Sequence, residues 1–359
     1  MISQFAEIAA ACDLTLPERY IRPVGVGGTG AILDVAHLPA YSAAGIPVSA
    51  IWGRNRGHAE RLAQVHGIAR VHDTLDDLLA DPEVAVVDIA ITPQAQVEVA
   101  LKALAAGKDV ICQKPLALEM ADAERIVDRA DELGRKVAVQ QQMRYEEGML
   151  AARAMVERGW IGEVTNIAFE VDLDTDFGSW GWMGEEPKLE IYYHSIHYLD
   201  TIRAFLGEPV SVFGTQSRRP GQRAVGETRS ISVLVYPGDV RAVVHSHHEN
   251  FAADNTARFR IDGSEGSIRG DLGLLLDYPR GRPDRLELWS RVLPTVGWLP
   301  YPVTGRWIPD SFLGPMGSLL RAMEDGGEPA SGGRDNLETL RLALAMYESG
   351  ETGQVVQMV

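Results

Sequence analysis

One lysine stands where an apolar stretch of the sequence stops. Residues 110–112 are predicted to end a buried strand, and Gln113-Lys114-Pro115 follows at once. Proline cannot donate a hydrogen bond to a sheet, so the strand should end here. Lysine is seldom found at the edge of a core without a partner or a function. Lys114 is therefore a candidate functional cation, and the alternative is an ordinary surface lysine.

A second group of reactive side chains falls in one predicted helix, residues 191–207. Tyr193, His197 and Asp200 are spaced i, i+4 and i+7, so they should share one face of an α-helix. Histidine is suited to proton transfer near neutral pH, although His197 could also be a packed core residue. His194 could share a metal with His197, but the sequence offers no further ligand, and no metal is expected.

The glycines Gly25, Gly27 and Gly30 have the spacing G-x-G-x-x-G. They follow a predicted strand and open a predicted helix, with Gly28 and Thr29 between them. In this setting the first glycine permits a tight turn, the second lets the backbone approach a pyrophosphate, and the third lets helix and strand pack closely. The pattern predicts a dinucleotide at the helix N-terminus; a purely structural turn is the alternative.

The second predicted strand ends in Gly53, Arg54 and Asn55. An acidic residue at this point would bind the ribose hydroxyls of NAD. Here no carboxylate would repel a 2′-phosphate, and Arg54 could pair with one. The sequence therefore favours NADP slightly over NAD, unless Arg54 is only a solvated residue at a helix start.

Strands and helices must position these residues, and they alternate over residues 21–143. The strands are apolar throughout, which indicates a parallel sheet covered on both faces. A doubly wound Rossmann domain is expected at residues 1–143, with residues 1–20 as an added helix. Longer strands with turn signals follow in residues 144–359, predicting an α+β domain with a large, mostly antiparallel open sheet. The Pro- and Gly-rich span 278–315 is expected to be irregular.

Composition limits the possible partners. The chain has 359 residues and a formal net charge of −16, which argues against nucleic-acid binding. No run approaches the roughly 18 apolar residues that span a bilayer, so no membrane is expected. Its two cysteines, Cys12 and Cys112, are far apart and suggest no disulfide framework. With no basic n-region at the N-terminus, a cytoplasmic protein is expected.

With the glycine loop, "ICQKPLAL" and "HSIHYLDTIRAFLG" in this order, the sequence resembles the Gfo/Idh/MocA family of oxidoreductases from about residue 21 onward. Relatives usually have Glu-Lys-Pro where this chain has Gln113-Lys114-Pro115. The resemblance implies that Lys114 reaches the substrate hydroxyl, where a cation would stabilise a developing alkoxide. It also implies that His197 is the general acid/base and that Asp200 orients it or contacts substrate. Tyr193 replaces the usual acidic residue.

Other residues are expected near the cofactor or substrate. Relatives touch the cofactor ribose where this chain has Thr92 and Pro93. The glycine-spaced aromatic loop 177–184 could stack on a sugar face or belong to an interface or the core. The remaining candidate substrate contacts are Arg144, Tyr145, Trp180, Trp182, Tyr193 and His194. For "HSHH", 245–248, strand alternation places His245 and His247 on one face and His248 on the other, at a sheet surface or subunit interface.

The resemblance implies an NAD(P)-dependent dehydrogenase that transfers hydride between nicotinamide and a secondary hydroxyl of a sugar, polyol or related cyclic alcohol. The open sheet would form a homodimer or homotetramer, as it does in relatives. Two alternatives stay open. One is a glycoside-cleaving or epimerising enzyme that keeps NAD bound. The other is a dinucleotide-sensing regulator without activity.

Overall fold

The computed structural model describes residues 2–278, 281–294 and 296–358. Two compact units share the chain in an interleaved way. The parallel-sheet unit contains residues 14–142 and 308–340, and the mixed-sheet unit contains residues 1–13, 143–307 and 341–359. One division between the units lies at residues 142 and 143. The sequence analysis expected two continuous domains, whereas the chain returns to the first unit at residue 308.

The parallel-sheet unit has six strands in the order β3-β2-β1-β4-β5-β6, and every observed pairing is parallel. Every residue of β1, β4, β5 and β6 is buried, as their continuous apolar sequences predicted. This confirms the predicted Rossmann architecture. The strands are β1 (Val24–Gly27), β2 (Val48–Trp52), β3 (Arg70–Val71), β4 (Val86–Ile89), β5 (Asp109–Cys112) and β6 (Val137–Val139).

Helices cover this sheet, and one of them comes from late in the chain. Met316, Leu319 and Leu320 share a buried cluster with Val26 of β1 and Ile111 of β5. This apolar contact explains why residues 308–340 join the unit. The α-helices here are Leu38–Ala43, Arg56–His66, Leu75–Ala80, Pro93–Ala105, Met120–Leu133 and Leu313–Asp325, and a π-helical turn spans Leu33–His37.

The mixed-sheet unit has nine strands in the order β14-β13-β12-β11-β7-β10-β9-β8-β15. Only the pair β7 and β10 is parallel among the described pairings. This confirms the mostly antiparallel sheet. The strands are β7 (Val164–Asp172), β8 (Ser211–Ser217), β9 (Arg229–Val235), β10 (Arg241–His247), β11 (Thr256–Gly263), β12 (Gly266–Asp271), β13 (Arg285–Ser290), β14 (Leu299–Tyr301) and β15 (Val356–Gln357).

One face of this sheet is buried and the other is partly exposed. The apolar side chains Phe213 and Ile231 lie on the exposed face, at neighbouring positions of β8 and β9. His245 and His247 are half-buried, whereas His248 is 1% exposed, as strand alternation predicted. The remaining α-helices are Ile2–Ala11, Glu147–Glu157, Ile196–Leu206, Gly273–Leu276 and Gly333–Thr352, of which the last runs from one unit into the other.

The structure corrects several expectations about local structure. Span 278–315 is not irregular, because it contains β13, β14 and the start of helix Leu313–Asp325. The glycines and prolines around β13 hide its alternation, in which Leu286 and Leu288 are buried. The expected helix at the N-terminus is present. It joins the mixed-sheet unit, where the ring of Phe5 lies 5.3 Å from that of Tyr301. Among the described residues, no helix combines the length and apolar character that crossing a bilayer requires.

A pair of buried carboxyl groups lies beside the start of helix Glu147–Glu157. Glu146 is 1% exposed and Asp284 is 7% exposed, and their carboxyl groups lie close enough for the charge of one to act on the other. Burial raises the pKa of Glu146 well above its usual value, and the charge of Asp284 adds to this effect. Burial also raises the pKa of Asp284 to about 6. Gly148 makes room, because a Cβ there would lie 2.5 Å from Oδ2 of Asp284.

We predict that this pair makes the protein less stable as the pH rises. Carboxyl pKa values raised by folding mean that the native state binds more protons than the unfolded state. The stabilisation is present below the unfolded pKa of about 4 and is lost as the pH rises through 6. Glu146→Gln removes one titrating group and should reduce this loss by about 1–2 kcal/mol. Urea unfolding at a series of pH values measures the pH dependence of the free energy of unfolding.

The control is Glu157→Gln on the same helix, whose side chain is 65% exposed. It should leave the pH dependence of the unfolding free energy unchanged. Equal pH profiles for wild type and Glu146→Gln would contradict the raised carboxyl pKa values.

Candidate active site

Four strand ends meet at one edge of the parallel sheet. The Gly28 N–H donates to Trp52 O at 2.8 Å, and the Ala90 N–H donates to Gly27 O at 2.9 Å. The Gln113 N–H donates to Ile89 O at 3.2 Å. The ends of β1, β2, β4 and β5 are therefore neighbours, and the predicted cofactor contacts lie on them. In open parallel sheets, ligands bind at this carboxyl edge.

Glycine is required at two points on this edge. Gly28 has φ +138°, and a Cβ there would lie 2.3 Å from Ala90 O. A Cβ on Gly53 would lie 2.4 Å from Cγ2 of Thr29. By contrast, Gly25 lies within β1, where a Cβ would lie 2.7 Å from Cγ1 of Val84. The sequence analysis assigned the tight turn to Gly25. That assignment is wrong, because the positive φ of the turn occurs at Gly28.

The loop and its neighbours suit a bound dinucleotide. A Cβ at Gly27 or Gly30 would have no heavy atom nearer than 3.8 Å, so neither position is crowded by the rest of the unit. The helix that opens after Gly30 has first-turn N–H groups with no carbonyl partner within the helix. Thr92 is the N-cap residue of helix Pro93–Ala105, and Pro93 is its first residue. These features fit the pyrophosphate and ribose of a dinucleotide.

The end of β2 has polar residues of different kinds. Gly53 is buried and Arg54 is exposed. Asn55 acts as an N-cap, since its Oδ1 accepts a hydrogen bond from the His58 N–H at 3.1 Å. The predicted cofactor contact at Asn55 therefore has a structural role as well.

Gln96 holds the segment that contains Lys114. Its side chain is fully buried, and its Nε2 donates to Gln113 O at 2.8 Å, Leu116 O at 2.9 Å and Pro115 O at 3.1 Å. Its Oε1 accepts from the Gln113 N–H at 2.9 Å. A single amide thus fixes the backbone on both sides of Lys114. The sequence analysis missed Gln96, because a glutamine within a helix carries no local signal.

In the mixed-sheet unit, the helix with the histidines begins irregularly. Residues Ile191–Ser195 form a π-helical turn, and the α-helix starts at Ile196. The expected α-helical spacing therefore holds from His197 to Asp200. It does not hold from Tyr193 to His197, because a π turn has more residues per turn. Such turns occur frequently at functional sites.

Asp200 forms a buried ion pair with Arg144. Both Nε and Nη2 of Arg144 donate to the carboxylate, the latter to Oδ1 at 2.8 Å, and Asp200 is 1% exposed. Nη1 of Arg203 lies 4.0 Å from Oδ1 as well. His197 is buried, and its ring lies 5.5 Å from that of Trp307 in an edge-to-face arrangement. Arg144, predicted as a substrate contact, and Asp200, predicted as a catalytic group, are thus direct partners.

Aromatic rings surround His194. Its ring lies 4.4 Å from that of His248, 5.1 Å from that of Phe177 and 6.0 Å from that of Trp180. His248 also approaches the buried carboxylate of Glu190, at 3.7 Å. Burial alone would raise the pKa of Glu190, but the nearby His248 and hydrogen bonds from Ser195 and Ser230 lower it below its usual value. The sequence analysis missed Glu190, whose partners come from distant strands.

Trp182 and Tyr193 form a second ring contact, at 5.6 Å. Trp182 is 44% exposed, so part of its ring is available to a ligand. Burial raises the pKa of Tyr193, which keeps its phenol protonated at physiological pH. Tyr145 follows Arg144 and is half-buried. The predicted aromatic loop and the helix thus meet within one unit.

Comparison with known proteins gives the family. Residues 22–141 match the model described as "Oxidoreductase family, NAD-binding Rossmann fold", and residues 149–269 match the "GFO/IDH/MocA C-terminal domain". The chain belongs to the Gfo/Idh/MocA family. The resemblance inferred from the sequence is thereby confirmed, together with the enzyme class, an NAD(P)-dependent dehydrogenase acting on CH–OH groups.

Three similar proteins show the range of this family. D-apiose dehydrogenase of Paraburkholderia graminis is 27% identical over 84% of this chain and 80% of its own. D-xylose 1-dehydrogenase (NADP(+)) 2 of Haloferax volcanii is 25% identical over 93% and 99%, respectively. The crystal structure of an oxidoreductase from Agrobacterium radiobacter, in complex with NAD+, L-tartaric acid and magnesium, has a TM-score of 0.83. It is 25% identical and covers 94% of this chain and 98% of that one.

We predict that Arg144→Met destabilises the protein by about 3 kcal/mol, because it leaves the buried Asp200 carboxylate without its main partner. Replacing both residues, in Arg144→Met/Asp200→Leu, should restore part of the lost stability. Urea unfolding of the four proteins in this cycle measures the coupling. Arg153→Met, which breaks the partly exposed Arg153–Glu157 pair, is the control and should change stability by less than about 1 kcal/mol. Additive effects of the two buried substitutions would contradict the prediction.

Proposed function

We propose that this enzyme transfers hydride between a secondary hydroxyl of a sugar, polyol or related cyclic alcohol and NADP or NAD. The observation that carries the proposal is the strand edge of the parallel-sheet unit. There the end of β4 hydrogen-bonds on one side to the glycine loop that would hold a dinucleotide. On its other side it hydrogen-bonds to Gln113, next to Lys114. The relatives named as sugar dehydrogenases support the substrate class.

The residues that would hold the cofactor are those of the strand ends. The pyrophosphate would meet the backbone of Gly27, Gly28, Thr29 and Gly30. Gly53 and Arg54 would lie along the adenosine part, and Thr92, Pro93 and Gln113 along the nicotinamide part. The bound nicotinamide accepts or donates the hydride. Lys114, which follows Gln113, would then stand next to the reacting carbon.

Lys114 would stabilise negative charge on the reacting oxygen. When an alcohol is oxidised, its O–H proton leaves as hydride leaves the carbon, and an ammonium group stabilises the developing alkoxide. We assign the proton exchange to the imidazole of His197. The Arg144–Asp200 ion pair supports this assignment, because it fixes the helix on which His197 lies. Asp200 is then proposed to position this helix rather than to exchange protons itself.

The substrate would meet aromatic and polar groups of the mixed-sheet unit. Trp180, Trp182 and Tyr193 offer ring faces and edges that suit the C–H face of a sugar. His194 and Tyr145 could bind its hydroxyls. The ring contacts of Trp182 with Tyr193, and of Trp180 with His194, support this view because they hold the planes in defined directions.

We also propose that the enzyme is cytoplasmic and forms a homodimer or homotetramer through the mixed sheet. The cysteines, Cys12 and Cys112, are both free thiols, which suits a reducing compartment. The exposed Phe213 and Ile231 lie on one sheet face, as expected of an interface between copies.

Lys114→Ala tests the role of the lysine. We expect kcat to fall by about 10²–10³-fold with a modest change in cofactor affinity, because the ammonium acts on the transition state. Turnover is followed at 340 nm with sugars, inositols and sugar acids, using both NAD and NADP. Lys102→Ala is the matched control, since Lys102 is an exposed residue paired with Asp76, and its kcat should match wild type. Normal turnover of Lys114→Ala would overturn the assignment.

A different result would favour the alternative enzyme, which cleaves or epimerises glycosides and keeps NAD bound. In that case the purified protein carries cofactor, and added sugar does not reduce it stoichiometrically.

Arg54→Ala tests the cofactor preference. If Arg54 pairs with the 2′-phosphate, its loss should raise KM for NADP about tenfold and leave KM for NAD within about twofold. Steady-state kinetics with each cofactor measure both constants. Arg56→Ala is the control, because Arg56 is exposed and paired with Glu60 and Asp73. An equal effect of Arg54→Ala on both cofactors would contradict the preference for NADP.

A further inference from the structure

A chain of buried polar groups leads to Lys114 within the parallel-sheet unit. Asp88 and His37 are both 0% exposed, and Nδ1 of His37 lies 2.7 Å from Oδ2 of Asp88. Nε2 of His37 lies 3.0 Å from Nε2 of Gln113. Oε1 of Gln113 then accepts the backbone N–H of Lys114 at 2.9 Å. The hydroxyl of Tyr41 donates to the same Asp88 oxygen at 2.8 Å.

The directions of these hydrogen bonds follow from chemistry. The backbone N–H of Lys114 can only donate, so the amide oxygen of Gln113 must face it. The NH₂ group of Gln113 therefore faces Nε2 of His37 and donates to it. Nε2 must then be the unprotonated nitrogen of the ring, and the proton lies on Nδ1, which donates to Asp88. One tautomer of His37 satisfies every bond in the chain.

We infer that His37 and Asp88 are positioning residues for Lys114, acting through the side chain of Gln113. This inference rests on the proposed role of Lys114. The Asp88 carboxylate selects the tautomer of His37, the tautomer sets which way the Gln113 amide points, and the amide oxygen holds the Lys114 backbone. The π turn at Leu33–His37 brings the imidazole into this chain.

The chain explains why glutamine suits position 113. A glutamate here would present an oxygen, instead of NH₂, to the lone pair of His37 Nε2. The contact would become attractive only if His37 and this new carboxylate together took up a proton, which would offset the added negative charge. With glutamine the hydrogen bonds from Asp88 to Lys114 are complete without an added proton.

Other titratable groups lie near the Asp88–His37 contact. Tyr41 binds Asp88 of β4, and Cys112 at the end of β5 lies close enough to feel the charge of Asp88, while Lys114 follows Gln113. The ring of Phe312 packs against His37 at 5.1 Å. Burial raises the pKa of Cys112 and of Tyr41, so both stay neutral near pH 7. Cys112 and Tyr41 therefore add no charge beside the Asp88–His37 contact.

The first experiment does not depend on activity. Long-range ¹H–¹⁵N NMR spectra of the ¹⁵N-histidine-labelled protein, assigned with His37→Gln, report which ring nitrogen carries the proton. We expect Nδ1 to be protonated and Nε2 to be unprotonated in His37 near pH 7. A proton on Nε2 would overturn the inference, whether or not the protein proves to be a dehydrogenase.

The second experiment uses pH profiles of kcat and KM. For Gln113→Glu, kcat relative to wild type should fall about tenfold per pH unit once the pair formed by His37 and the new carboxylate loses its added proton. His37→Phe should lower kcat at all pH values, because the NH₂ group of Gln113 then loses its acceptor and Asp88 loses a donor. His37→Gln keeps an amide oxygen for Gln113 and an NH₂ group for Asp88. It should hold kcat within about threefold of wild type, with the wild-type pH profile.

His72→Gln is the matched control, because His72 pairs with Asp81 at 3.0 Å in the same unit, away from the Lys114 segment. Its profile should equal that of wild type. A wild-type pH profile for Gln113→Glu, or equal losses of kcat in His37→Phe and His37→Gln, would overturn the inference. Thermal unfolding shows which variants are folded, and the tautomer measurement stands if a variant does not fold.

Discussion

Polar groups that lose contact with water must find hydrogen-bond partners, and this constraint shapes both candidate sites. Gln96 meets it by holding three carbonyl groups and one N–H of the Lys114 segment. Oδ2 of Asp88 meets it through His37 and Tyr41. Asp200 meets it through Arg144. In each case the need to satisfy a buried group fixes the backbone that carries a proposed catalytic residue.

The parallel sheet supplies the frame for the first site. Because β1, β2, β4 and β5 are neighbours and all point the same way, their ends collect glycines, a helix N-terminus and a lysine at one edge. None of these residues lies close to all the others in sequence. The close approach of the loops at Gly28 and Gly53 leaves no room for a side chain. This close approach explains why glycine occupies these two positions.

The family relationship and the departure at Gln113 belong together. Relatives usually have a glutamate there, and this chain has an amide whose two ends differ in character. Because of this difference, the orientation of the Gln113 amide is coupled to the tautomer of the buried His37. In the mixed-sheet unit, burial raises the pKa values of Glu146 and Asp284, which disfavours two charged carboxylates at that point.

The sequence by itself determined the doubly wound sheet, the dinucleotide loop and the alternation of β10, because these follow from local periodicity and from glycine spacing. It did not reveal that residues 308–340 return to the parallel-sheet unit, or that β13 and β14 lie in a span rich in glycine and proline. Only tertiary structure pairs Arg144 with Asp200, 56 residues apart, and His37 with Gln113, 76 residues apart. Such contacts depend on where the chain crosses itself, and no local pattern encodes them. The roles of individual polar residues were therefore decided by packing.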